Sequence, residues 1–81
     1  MIRAKDKNGV ELHQFDKVTD GVCCGVVASG ELLSNDEVLI FAPGTMIGCK
    51  ARANMLCKID KFTEDMLLET ELSMLRVEEV V

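Results

Sequence analysis

Met66-Leu67-Leu68-Glu69-Thr70-Glu71-Leu72-Ser73-Met74 decides the fold, because it reads in two ways. Met66, Leu68, Thr70, Leu72 and Met74 hold the even positions, against Leu67, Glu69, Glu71 and Ser73 at the odd ones. That is the alternation of a half-buried strand, broken only by Leu67. Thr63 followed by Glu64-Asp65 is instead a helix start, a cap with an acidic first turn. On a helical wheel, however, Glu71, Glu78 and Glu79 fall among the apolar residues and leave no clean stripe. After Met74 the parity flips, with Leu75 and Val77 apolar against Arg76 and Glu78. A bulge or one turn of 3₁₀ helix near residues 73–75 produces such a flip. The alternation favours a strand and an all-β domain, with an α+β domain carrying a short C-terminal helix as the alternative.

Outward from this stretch, residues 46–61 repeat the same period. Cys49, Ala51, Ala53, Met55, Cys57 and Ile59 share one parity and Lys50, Arg52, Asn54, Lys58 and Asp60 the other, with Leu56 breaking the polar face. A long bent strand, or a hairpin turning near 52–54, fits this pattern. Ala, Met and Leu are weak strand formers, so a short helix after Pro43 stays open. Upstream, turn signals recur at Asn8-Gly9, Asp20-Gly21, Ser29-Gly30, Ser34-Asn35-Asp36 and Pro43-Gly44. Gly accepts positive φ, Asn and Asp tolerate it or bond their own backbone, and Pro presets φ. Between the turns lie apolar runs at 22–28 and 38–42, too short for ordinary helices. Short strands with turns every 8–12 residues or so make a small barrel or sandwich, here of five to seven strands.

The opening Lys5-Asp6-Lys7-Asn8-Gly9-Val10-Glu11-Leu12, then Asp16-Lys17-Val18 and Gly25-Val26-Val27, resembles the start of an SH3-like barrel. It is similar to the Asp-x-Asn-Gly-x-Glu, Asp-x-Val and Gly-x-Val pattern of small phage and bacterial domains of the YopX type. The likeness covers residues 5–27 and rests on turn and strand residues. Glu71-Leu72-Ser73-Met74-Leu75-Arg76-Val77 is also similar to the short 3₁₀ turn and last strand that close such barrels. One position departs: that family has Gly before the Asp, where this chain has Phe15. The resemblance implies a barrel of phage or mobile-element origin and no particular activity.

Composition narrows the rest. At 81 residues the chain makes a single domain, 1–81. It buries only about 60–65% of its unfolded surface, so its core is small. No apolar stretch approaches the ~18 residues of a membrane span, and the N-terminus lacks the pattern of a secretion signal. Cys23, Cys24, Cys49 and Cys57 all sit in apolar company, which reads as reduced packing thiols in a cytoplasmic protein. Adjacent Cys23 and Cys24 point to opposite faces of a strand, and Cys49 and Cys57 are eight apart. Neither spacing suits a metal site or a redox pair. No metal or other cofactor is expected.

The sequence offers little to catalysis. His13 is the lone histidine, read as an exposed hairpin residue, and no nucleophile, phosphate-loop or metallohydrolase motif is present. No catalytic residue is assigned, and an enzyme is not expected. Charge is more informative. Residues 41–62 carry Lys50, Arg52, Lys58 and Lys61 against Asp60, between acidic ends, within a net charge of −5. If Lys50, Arg52 and Lys58 share a strand face, they form with Lys61 a patch suited to phosphates or an acidic partner. The competing expectation, which is favoured, pairs Lys50 and Arg52 across strands with Glu69 and Glu71. Only Phe15, Phe41 and Phe62 are aromatic, with Phe41 placed in the core. Proline-peptide grooves, methyl-lysine cages and base-stacking platforms all need more rings than that. Leu56, Leu67, Val80-Val81 and one of Cys23/Cys24 interrupt otherwise polar faces, as an oligomer or partner surface would. The expected function is a non-catalytic protein-interaction or assembly module, with a protein partner or a homo-oligomer. The alternative is a nucleic-acid-associated barrel using the four cations.

Overall fold

The computed structural model describes residues 2–33 and 36–80, with side chains described through residue 74. Five strands form one antiparallel sheet: β1 (Lys17–Thr19), β2 (Cys24–Val27), β3 (Glu37–Phe41), β4 (Gly48–Arg52) and β5 (Cys57–Ile59). Helix α1 (Glu64–Val80) follows. The strand order is β4-β3-β2-β1-β5, so the last two strands lie at opposite edges. The apolar runs at 22–28 and 38–42 become β2 and β3. Their flanking turns use the expected chemistry: Gly44 lies at φ 74° after Pro43, and Asp20 Oδ1 accepts from the Val22 and Cys23 N–H groups. The turn expected at Ser34-Asn35 falls outside the described residues.

The hairpin expected near 52–54 is not formed. The chain does turn there, through a 3₁₀ turn at Ala53–Met55. The strands on either side then take different partners, β4 pairing with β3 and β5 with β1. The 3₁₀ turn also shifts the phase of the pattern, which is why Leu56 is core while Met55 is 63% exposed. Leu56 is therefore no surface leftover. The 3₁₀ turn and last strand thus lie at Ala53–Met55 and β5, and not in residues 71–77.

Residues 66–74 are helix, and the strand reading is overturned. Thr63 caps the helix, its Oγ accepting from the Met66 N–H at 3.2 Å, and Glu64 and Asp65 sit in the positive first turn. The alternation misled for a geometric reason. Met66, Thr70 and Met74 are four apart and share one helical face, while Leu68 and Leu72 share the opposite one. A period of two contains both stripes.

The core is Ala4, Leu12, Val18, Val27, Val38, Ala53 and Leu56, with Leu32, Ile40 and Ala51 packed against it. The segment before β1 closes this end of the sheet. Its Ala4 N–H donates to the Gly30 carbonyl, Leu12 N–H to that of Ala4, and Lys7 N–H to that of Leu56. Gly30 is required there, because a Cβ would collide with the Leu12 carbonyl oxygen and the Arg3 side chain. Asp6, 5% exposed, anchors the segment from within. Its Oδ1 accepts from Asn8 and Val10 N–H, and its Oδ2 accepts from Lys58 N–H of β5 at 3.0 Å. Phe41, against expectation, is only half-buried. It alternates away from Val38 and Ile40, and its ring lies over Gly48, its partner on β4.

Candidate functional site

Beside α1 the inner face of the sheet is not filled. An apolar groove of about 580 Å³ runs between the helix and strands β2 to β4. Ile40, Ala51 and Leu56 continue the core into its floor, and Ile47 and Met55 add exposed apolar surface. The helix wall is made by Thr70, Ser73 and Met74.

Polar bonds fix that wall. Cys24 N–H donates to Thr70 Oγ at 2.8 Å, and the Thr70 hydroxyl donates to the Met66 carbonyl one turn back at 2.7 Å. Ser73 Oγ lies 3.4 Å from Cys23 Sγ. Small polar side chains let α1 approach β2 closely, and they leave its larger apolar residues elsewhere. Leu67, Leu68 and Leu72 are 40%, 54% and 37% exposed, on the face turned from the sheet.

The cysteines divide among these surroundings. Cys24 is buried against Thr70, Cys23 and Cys57 are half-buried, and Cys49 is exposed, so packing filler describes only the first. All four are free thiols. Partial desolvation beside the groove, with a contribution from Cys23, raises the thiol of the exposed Cys49 above its ordinary value. It stays protonated at neutral pH and lends the groove soft apolar surface rather than a nucleophile. Among the described residues, no three of His, Cys, Asp and Glu converge as a metal would need.

The four candidate cations are split. Lys50 and Arg52 share the outer face of β4, opposite Cys49 and Ala51 on the groove's side, and border the groove only as residues of this edge strand. They do not pair with Glu69 and Glu71, because the acidic segment is a helix and the residues facing them across β3 are Leu39 and Glu37. No ion pair to either is formed among the described residues. Lys58 sits on β5 at the other edge, 3.1 Å from Asp16, and Lys61 lies beyond it. Neither of these two lines the groove. His13 is exposed beside Glu11 and Asp16, at 4.0 and 3.8 Å.

Sequence reasoning missed Ile47, Met55 and Cys49 as groove residues, having read the last two as part of a buried parity. The side chains of Val80-Val81 lie outside the described residues. No helix of the described residues is long and apolar enough to cross a membrane. No protein-family model, curated protein or solved structure matches the chain.

Proposed function

We propose that the protein is a non-catalytic protein-interaction or assembly module built on an SH3-like barrel, holding an apolar protein segment in the groove beside α1. The groove carries the reading: an apolar floor with few polar groups, beside a helix whose leucines face solvent. Concave apolar sites with a few placed polar groups are how proteins hold ligands, and contiguous exposed apolar surface on a small domain marks a contact site. The barrel is supported by β1 pairing with β5 and by the 3₁₀ turn leading into β5. Kinship with the YopX type is supported at its one departure. Phe15 adopts φ 71°, the left-handed conformation that suits the Gly of the pattern it resembles. Four free thiols support a reducing, cytoplasmic setting.

The test is a paired pull-down from the native host, with the wild-type chain and Ile47→Asp as baits. Ile47 is more than half exposed, so the variant keeps the fold while placing a charge in the groove. A partner held by the wild type and lost by the variant supports the reading; equal capture by both overturns it. The nucleic-acid reading retains only Lys50 and Arg52 on one surface. A gel shift that weakens steeply with salt supports it, and no shift at low salt removes it.

A further inference from the structure

We propose that the outer face of the sheet binds the outward face of α1 from a second copy of this chain. That face lies on the side of the sheet away from the groove's floor, so the contact stands apart from whatever the groove holds. Register defines the face. Cross-strand partners share a side of the sheet, which places Lys17 beside Val26, Val26 beside Phe41, Leu39 beside Lys50 and Glu37 beside Arg52. The side chains of Leu39 and Phe41 both lie over Gly48. Phe15 and Met46, 75% and 84% exposed, join Val26 and Phe41 around an open hollow. The face is thus an apolar patch carrying Lys17, Lys50 and Arg52 against Glu37. Among the described residues, none of these four charges is in an ion pair.

Charge gives the first argument for the occupant. The outward face of α1 interleaves Leu67, Leu68 and Leu72 with Glu64 and Glu71, all exposed. An acidic leucine face thereby meets a basic apolar one. Packing gives the second. A helix with an apolar stripe and a sheet with an apolar face are the two halves of an ordinary layer, and each leaves water against the other. This chain carries both halves without joining them. Thr70 and Ser73 are what α1 turns toward Cys24 and Cys23, while no residue of α1 lines the outer hollow. The spacings agree: Leu68 and Leu72 are about 6 Å apart along the helix, and Leu39 and Phe41 about 7 Å apart along β3. Nucleic acid fits this face less well, because Glu37 stands in it and only Phe15 and Phe41 offer rings. A pairing of unlike surfaces is heterologous, so copies add head to tail until a ring closes or a chain grows.

Sedimentation of the full chain across micromolar concentrations tests this, with circular dichroism confirming that each variant keeps its helix. The wild type is expected to associate. Leu68→Glu blocks the helix face and Lys50→Glu/Arg52→Glu the sheet face, and each variant alone is expected to associate at least about tenfold more weakly. Mixed together they are expected to form a one-to-one pair, because each retains the surface that the other lacks. Adding Glu64→Lys/Glu71→Lys to the sheet variant restores self-association. Ile47→Asp, in the groove, is expected to change nothing. A monomeric wild type overturns the proposal, and a salt-sensitive gel shift lost in Lys50→Glu/Arg52→Glu then gives the face to nucleic acid. Association that survives both blocks, or blocked variants that do not pair, also overturns it. If Ile47→Asp abolishes association, the groove is the self-contact and the outer face is not.

Discussion

The two ends of the sheet's inner face are closed by different means. At one end, Ala4, Leu12 and Leu56 are essentially removed from water, and Asp6 gives both carboxylate oxygens to backbone N–H groups. At the other, α1 is held by the hydroxyls of Thr70 and Ser73, while its leucines face solvent. Apolar burial and satisfied polar groups supply most of a small domain's stability. The Asp6 end therefore carries the fold, and the α1 end is free to vary what it contacts. A helix attached by so few buried apolar groups belongs to the low-stability part of the molecule.

Truncating one leucine at each end gives the largest contrast. Leu12→Ala should cost about 2–5 kcal/mol, because its side chain is fully buried in the core. Leu72→Ala, studied at concentrations too low for association, should cost less than about 0.5 kcal/mol. Urea unfolding of both variants checks this, and similar costs would erase the distinction between the ends. Next comes Thr70→Val, which keeps shape but leaves the Cys24 N–H without its acceptor. The expected loss is about 1–3 kcal/mol. Amide exchange should show it as faster opening of α1 and Cys24, with residues 4–12 unchanged. Equal loosening of both ends would mean that they open as one unit.

The same division explains what the sequence revealed. Strands β2 and β3 and the turns at Asp20-Gly21 and Pro43-Gly44 were legible because Gly, Pro and Asx residues act locally, and so was the turn at Asn8-Gly9. Asp6's second task was not legible, since Lys58 N–H lies fifty-two residues along the chain. Nor was α1. Its inward face carries Thr70 and Ser73 where an amphipathic helix ordinarily carries leucine, so no apolar stripe marked the buried side. Lys50, Arg52 and Lys58 shared one parity, yet only Lys50 and Arg52 share a strand. Their separation from Lys58 depended on a crossover between sheet edges that no periodicity records. The groove stayed hidden for a related reason: a single 3₁₀ turn exchanged the roles of Met55 and Leu56.

Acid should attack the closed end through Asp6. Burial alone would raise its pKa, but hydrogen bonds from Val10, Lys58 and Asn8, with the Lys58 charge, outweigh that and hold it below the ordinary 3.8. A carboxylate depressed in the folded state contributes stability above its unfolded pKa. That contribution is lost as pH falls from about 3.8 through the lower folded value. The difference in urea midpoint between the wild type and Asp6→Asn should therefore be constant near neutrality and shrink below that point. A difference that persists undiminished in acid would show that the Asp6 oxygens act without their charge.

The smallest effect should have the opposite sign. Phe15 is 75% exposed and sits at φ 71°, in the turn that leads into β1. For a side chain with a Cβ, that backbone region costs roughly 1–2 kcal/mol. Phe15→Gly removes the strain and sacrifices little burial. It also frees the unfolded chain, returning about 0.4–1 kcal/mol of the gain. The net expectation is a stabilisation of up to about 1 kcal/mol, read as a higher urea midpoint. A ring held exposed at a cost to stability, beside Val26, Phe41 and Met46 on the outer face, invites a contact of its own. If Phe15→Gly instead destabilises by more than about 1 kcal/mol, the ring is a packing anchor and the outer face belongs with the closed end. If it stabilises, Phe15 joins Leu68, Leu72 and Ile47 among the apolar residues that this domain leaves uncovered.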